Sequence, residues 1–394
     1  MRTKALLIAL LGINFLLLLL QINGLSIGYH EAKVLYGEAT PLQIFITTSL
    51  HLFGENDYAL RIPMIILHLI SVLLLFGISK HYLTREIDRL WIVLIYVLLP
   101  GVTSAALVVD NAGLMITALF LFLFLYLNYG KHALGFIPVL IVLDPSFAYL
   151  FFALTLFGIY RRDAWYGVVG IVALAVSLYF YGIDVGGSPE SRFLDALGVY
   201  AAVFSPIVFL YLFYVLYRRM MAKEWDLIWF IAMSAFLISL LLSFRQRVEI
   251  QTFAPFLLLA LPLAGETFLH TYRIRLREFR RRYQLLFYSA FVLLIFNALA
   301  VFFNHYFYHF IKKPEHHFSY SMHVVKELSK ELKKNGIECV DADNKKLQLR
   351  LRFYGITHCA ENHFSEHFTS KATKVTISYT NKPIYEVYVT KIHK

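Results

Sequence analysis

A chain of 394 residues with 59% hydrophobic and only 16% charged side chains, at a mean hydropathy of +0.61, cannot fold as one water-soluble domain without exposing a large apolar surface. The formal net charge of +11 would point to nucleic acid in a soluble protein, but here the basic residues sit mainly between apolar runs and in the tail, where they act as topology signals. A membrane is therefore the solvent for most of the chain. The expected fold class is an α-helical polytopic membrane protein of about eleven transmembrane helices with a small C-terminal α/β domain.

The first apolar run, Ala5–Leu20, follows the basic start Met1-Arg-Thr-Lys4. No Ala-x-Ala-type cleavage site follows it, so it reads as an uncleaved span rather than a signal peptide. Further runs of about 17–25 residues, the length that crosses ~30 Å of hydrocarbon, fall near 61–79, 90–107, 111–129, 165–182, 195–217, 225–243, 252–270 and 285–309. Two shorter ones, 133–143 and 146–160, flank Asp144-Pro145-Ser146, where Asp-Pro reads as an ordinary turn. These runs define a membrane domain over residues 1–310.

With the N-terminus in the cytoplasm, the inside segments Met1–Lys4, Lys80–Arg89, Asn128–Lys131, Arg161–Asp163, Arg218–Lys223 and Thr271–Gln284 carry 17 Lys or Arg. The opposite loops carry only Lys33, Arg61, Arg192, Arg245 and Arg247. That asymmetry predicts a multi-pass protein of the bacterial inner membrane with its tail in the periplasm. The densest inside segment, with Arg273, Arg275, Arg277, Arg280, Arg281 and Arg282, reads as an anchor on anionic headgroups.

Residues 311–394 are predicted to form the soluble α/β domain. Ser319–Asn335 has helical spacing and ends at Gly336, and strands are expected at 337–340, 347–354, 375–379 and 384–389. The only two cysteines, Cys339 and Cys359, suggest a disulfide closing a loop of about twenty residues in an oxidising compartment. A competing reading makes Cys359, His363 and His367 ligands of a structural metal on successive helical turns. The disulfide is preferred and no metal site is assigned, while His316 and His317 read as surface.

The first external loop, residues 25–60, departs most from span composition. It contains Tyr29-His30-Glu31-Ala32-Lys33, then Glu38-Ala39-Thr40-Pro41-Leu42, then Phe53-Gly54 and Ala59-Leu60-Arg61-Ile62-Pro63. Between them, Gln43–Phe53 could lie as an amphipathic helix in the interface, with Pro41 near its first turn. This order resembles the C-type superfamily of membrane glycosyltransferases, in the branch of the protein O-mannosyltransferases and the aminoarabinose transferases of lipid A. The resemblance covers about the first 115 residues well and extends loosely to Arg245–Pro255. In that branch the loop opens on Asp-Glu-Ala; here the pair is His30-Glu31, so Glu31 matches the second acid and His30 stands where the family's catalytic acid does. Asp110, in Val108-Val109-Asp110-Asn111, falls where the family places another Asp.

The resemblance implies transfer of a sugar from a polyprenyl-phosphate donor to a lipid, glycan or protein acceptor on the periplasmic side. Such transfer needs a group to activate the acceptor and positive charge to stabilise the departing phosphate. Glu31, Asp110 and His30 are the candidate catalytic residues, neutral imidazole being a competent base near pH 7. Lys33, Arg61, Arg245 and Arg247 are the candidate donor-phosphate cations. No cofactor is assigned beyond the lipid-linked donor, a divalent metal is compatible with the chemistry, and no nucleic acid is expected as a partner. The alternatives are a transporter or flippase of lipid-linked saccharides, which the lack of internal repeats disfavours, and a catalytically degenerate family member, which His30 keeps open.

Overall fold

The computed structural model describes residues 2–182, 192–309, 311, 313, 317, 319–365, 373–379 and 382–391. The expected run of apolar segments is helical throughout: α1 (Arg2–Ile22), α4 (Asp57–Ile78), α5 (Glu86–Leu98), α6 (Pro100–Leu107), α7 (Asn111–Tyr129), α8 (Ile137–Leu143), α9 (Ala148–Arg161), α10 (Ala164–Tyr181), α11 (Phe193–Phe204), α12 (Pro206–Ala222), α13 (Leu227–Ser243), α14 (Ile250–Leu258), α15 (Leu261–Ile274) and α16 (Arg277–Phe302). The loop between α1 and α4 adds α2 (Tyr29–Tyr36) and α3 (Pro41–Phe53). The protein is thus a polytopic helical membrane protein.

Three of the expected spans are broken. Among the described residues, five helices are long and apolar enough to cross a membrane, or eight if each of the pairs α5/α6, α11/α12 and α14/α15 is one span. Those pairs bend by 65°, 106° and 44°. Pro100 and Pro206 open the second helix of their pairs and Pro262 stands at the second position of α15, so at each break a ring without an N–H interrupts the helical ladder. Hydropathy averages over such a break, which is why single spans were expected.

The chain divides into two compact units. The first comprises residues 1–15, 64–106 and 111–298. Its core is aliphatic and aromatic, and α9 packs on α10 through small residues: a Cβ on Gly158 would lie 2.3 Å from Gly167 N, and one on Gly170 2.7 Å from Thr155 N. In hydrocarbon such close approach supplies the dispersion contact that the hydrophobic effect cannot.

The second unit comprises residues 16–63, 107–110 and 299–394, so the first loop and the tail belong together. The tail contains α17 (Ser321–Lys334), which ends at Gly336 with φ of +69°, and α18 (Lys345–Phe353). Its four strands are β1 (Asp341–Ala342), β2 (Asn362–Ser365), β3 (Thr373–Tyr379) and β4 (Lys382–Lys391), in the order β1-β2-β4-β3. β1 runs parallel to β2, and the other pairs are antiparallel. The strand expected at 347–354 is helix α18. Leu347 and Leu351 are four residues apart and both buried, a spacing that fits one helical face, and Asn344 caps the start by accepting from Lys346 N. The strand expected at 337–340 is an isolated bridge, Cys339 to Thr357.

Cys339 and Cys359 are joined in a disulfide with Cα atoms 5.5 Å apart. His363 lies on β2 rather than on a helix, so the helical-turn spacing supposed for a metal does not exist. His316 and His367 lie outside the described residues. His317 is buried, not on the surface, and its Nε2 meets the Asn304 carbonyl at 2.8 Å.

Candidate active site

The site residues expected in the first loop are sorted by one short helix. α2 buries Glu31, Ala32 and Leu35 and leaves His30 and Lys33 exposed. His30 and Lys33 are three residues apart and share a face. An imidazole and an ammonium therefore share the exposed face of this helix, with an acid on its buried side.

Glu31 and Arg61 are both 0% exposed, and their side chains meet with Glu31 Oε2 3.0 Å from Arg61 Nη2. Glu31 occupies the third position of α2 and reaches back to the helix start, where its Oε2 accepts from Gly28 N at 2.6 Å. This is the half of a capping box that a glycine cap permits. Its Oε1 accepts from Val109 N at 2.9 Å. The carboxylate thus takes three donors and fastens the segment that carries Asp110. Arg61 donates from Nε to Leu107 O at 3.0 Å and from Nη2 to Ser26 O at 2.9 Å, and its Nη1 lies 3.6 Å from Asp57 Oδ1.

Two of the candidate site residues lie deeper than their place in a loop suggests. Glu31 is a candidate catalytic residue by sequence, and in the fold its oxygens are enclosed and occupied by three donors. Arg61 is a candidate phosphate cation, yet it is fully buried and gives Nε and Nη2 to backbone carbonyls and Glu31, leaving only Nη1 without a hydrogen-bond partner. An unpaired charge would be expensive at that depth, so the pair exists because each half neutralises the other.

Pro63 accounts for another local feature. Proline has no N–H for the Ala59 carbonyl one turn earlier in α4, and Ser49 Oγ of α3 donates to Ala59 O at 2.7 Å instead. The Ala59-x-Arg61-x-Pro63 segment therefore anchors the amphipathic helix as well as supplying the buried cation. α3 presents Ile44, Phe45, Leu52 and Phe53 to the outside.

The tail is fastened to the same loop by groups that sequence reasoning left unassigned. Tyr354 donates its hydroxyl to Asp57 Oδ1 at 2.8 Å and accepts from Ile27 N at 2.9 Å. Lys326 Nζ lies 2.8 Å from Asp57 Oδ2, Arg350 Nε donates to Ile27 O at 2.9 Å, and Ser26 N donates to Met322 O at 2.6 Å. Burial holds the Arg350 guanidinium down at about 10, and burial together with the Asp57 carboxylate raises the Tyr354 phenol. Gly28 is crowded here as well, since a Cβ would sit 3.1 Å from Met322 Cε. The sequence signal for this join is faint: Asn56-Asp57 marks a helix start, but nothing in it names a partner three hundred residues away.

Asp110 is half-buried and follows directly on the Val109 amide held by Glu31. In the first unit, Asn111 Nδ2 donates to Asp144 Oδ2 at 2.7 Å, and Asp144 Oδ1 caps the turn by accepting from Ser146 N. Arg245 and Arg247 are exposed in the connection between α13 and α14. No group of three His, Cys, Asp or Glu among the described residues is arranged to hold a metal ion.

The chain thus combines a polytopic set of apolar helices, a small α/β tail and a charged first loop between its first two long spans. The solved structure of ArnT from Cupriavidus metallidurans in the apo state matches it over 99% of this chain and 98% of that one, with a TM-score of 0.58 at 10% sequence identity. No family model and no curated protein matches the sequence. The aminoarabinose-transferase branch suggested by the first loop thus reappears as a likeness of fold, while nearly all side chains differ.

Proposed function

We propose that this protein is a membrane glycosyltransferase that moves a sugar from a polyprenyl-phosphate donor to a lipid, glycan or protein acceptor at the periplasmic face. The observation that carries the reading is the sorting of the first loop within an ArnT-like fold: a buried Glu31–Arg61 pair ties together the two segments bearing the exposed His30 and Lys33 and the half-buried Asp110.

The acceptor oxygen attacks the anomeric carbon, the bond from that carbon to the phosphate oxygen breaks, and the polyprenyl phosphate departs with the electron pair. Asp110 or the neutral imidazole of His30 takes the acceptor's proton. Lys33 offers an ammonium to the departing phosphate, with Arg245 and Arg247 as further candidate cations. Glu31 and Arg61 act through the backbone they hold and are positioning residues. His30 in place of an acid suits an acceptor that is already anionic, such as a phosphate, for which a strong base is unnecessary.

The test is lipid and glycan profiling of a deletion strain, complemented with the wild-type chain or with Asp110→Asn. One glycosylated species is expected to vanish on deletion, to return with wild type, and to stay absent with the variant expressed at equal level. A deletion profile with no missing species, or full rescue by Asp110→Asn, would sink the proposal.

A further inference from the structure

A second feature of the membrane domain stands apart from the proposed chemistry. A cavity of about 290 Å³ opens among α5, α12, α15 and α16, walled by aromatic side chains, among them Trp91, Tyr211, Phe268, Tyr272, Tyr283 and Phe291, and by aliphatic ones, with Gln284 as the amide in the lining. It is elongated along the helices. Its lining runs over residues 261–272 of α15 and 283–291 of α16, roughly 12–16 Å at 1.5 Å per residue. The flank of α16 beside it exposes Leu285, Leu286, Tyr288 and Val292, so the opening is reached through apolar surface.

One end of this cavity is charged. Tyr272, Tyr283 and Gln284 mark that end, and Gln284 Nε2 donates to the Tyr272 hydroxyl at 2.6 Å. The Arg275 guanidinium lies 4.6 Å from the Tyr283 ring centroid, the Arg280 guanidinium 5.8 Å from that of Tyr272, and Arg218 Nη1 donates to Thr271 Oγ1 at 3.2 Å. Arg280 also donates to the carbonyls of Arg275 and Arg273. Neighbouring arginines are neutralised, Arg219 by Glu266 and Asp226 and Arg273 by Asp88. Among the described residues no carboxylate comes within 4.0 Å of Arg218, Arg275 or Arg280. Arg275, resting on the Tyr283 face, keeps its in-plane N–H edge for a phosphate anion, while Arg280 and Arg218 retain the N–H groups that their bonds to Arg275 O, Arg273 O and Thr271 Oγ1 do not use.

We propose that this cavity is a binding site for an anionic glycerophospholipid, with an acyl chain between α15 and α16 and the phosphate held by Arg218, Arg275 and Arg280. The apolar walls reject a soluble anion as the sole occupant, and the three unneutralised cations favour an acidic headgroup over a zwitterionic one. The lipid also replaces protein packing that α16 lacks on that side. This site is independent of the glycosyl-transfer reading.

The experiment uses the full-length chain released from membranes of defined composition and weighed intact by native mass spectrometry. The probes are phosphatidylglycerol and phosphatidylcholine with identical acyl chains. Retained phosphatidylglycerol is expected to exceed phosphatidylcholine at least fivefold for wild type, and to fall to the phosphatidylcholine level in Arg275→Ala/Arg280→Ala. Arg281→Ala/Arg282→Ala removes the same charge from the next two positions of α16, where no arginine stacks on a cavity tyrosine as Arg275 and Arg280 do, and is expected to leave the preference intact. Ala290→Trp, which fills the cavity, is expected to abolish retention of both lipids. Equal retention of the two lipids by wild type, equal losses in the two arginine pairs, or full competition by glycerol 3-phosphate would overturn the proposal. Should Ala290→Trp not fold, the two arginine pairs decide the matter between them.

Discussion

Glu31→Gln isolates the buried pair on which the candidate site rests. The substitution keeps the volume but removes the charge, leaving Arg61 with only Asp57 Oδ1 at 3.6 Å, and Asp57 already serves Lys326 at 2.8 Å. It also breaks the hydrogen-bond count. Gly28 N, Arg61 Nη2 and Val109 N all donate to the carboxylate, whereas an amide has one oxygen and must turn its NH2 toward at least one of these donors. Removing one member of a buried ion pair costs about 3–5 kcal/mol, which is roughly two to four decades in the closed-to-open ratio of the loop. Hydrogen exchange is the direct assay, because the Gly28 and Val109 amides are themselves the reporters. Peptides covering 26–36 and 105–110 should exchange ~100-fold faster or more in Glu31→Gln, and likewise in Arg61→Met, which strands the Leu107 and Ser26 carbonyls. The double variant should exchange more slowly than the two effects summed, by about 2 kcal/mol or more of coupling. Unaltered exchange in Glu31→Gln, or strict additivity in the double variant, would refute the claim that this pair holds the loop closed.

Three further outcomes are expected. His323 is buried against Tyr308 and near His317, and burial lowers its pKa to about 4, so the folded tail binds fewer protons than the unfolded one between that value and the ordinary ~6.5. Its contribution is complete above pH 6.5 and is lost as pH falls, by about 2 kcal/mol at pH 5; a thermal midpoint that stays flat between pH 7 and pH 5, or one whose slope survives His323→Asn, would contradict this. Cys339→Ser/Cys359→Ser opens a loop of sequence separation 20 and should cost about 3 kcal/mol in denaturant titration of the tail, while the native protein takes up no thiol label without reductant. Arg247→Ala should weaken the use of a polyprenyl-phosphate donor by about 1–3 kcal/mol in kcat/KM, and a wild-type donor dependence would remove that cation from the site.

The membrane architecture was legible because hydrocarbon imposes a length and an apolar composition that a sequence cannot hide. The breaks within α5/α6, α11/α12 and α14/α15 were not read, although Pro100, Pro206 and Pro262 stand at them, because a hydropathy window registers composition and not a missing N–H. In the tail, the periodicity of Leu347, Leu349 and Leu351 satisfied a strand, but the pair at i and i+4 is what the fold buries. The motif residues of the first loop were found, yet their depth was not. Sequence order cannot show that Glu31 points inward while His30 and Lys33, its neighbours on the same two turns, point outward, since an eight-residue helix has too few apolar positions to fix its own face. The partners Lys326 and Arg350, on two amphipathic helices, and Tyr354, just past the end of the second, carry no local signature at all.

The two positions of the His30-Glu31 pair face different constraints, and this bears on how a departure from the family pattern can be tolerated. Glu31 accepts three hydrogen bonds and pairs with an enclosed guanidinium, so the fold itself requires a carboxylate there. His30 is exposed and has no such bonds to satisfy, so its identity is free to follow the reaction rather than the packing. An imidazole differs from a carboxylate in being neutral as a base and cationic as an acid. Beside Lys33, the protonated ring would add a second positive charge to one helix face, which favours an anionic acceptor and an anionic leaving group together. His30→Asp would reverse the charge at that face without touching the buried pair. The proposed chemistry therefore predicts a change of acceptor preference in that variant, with loop protection unchanged, and a loss of loop protection would show that the surface and the buried layer are not separable.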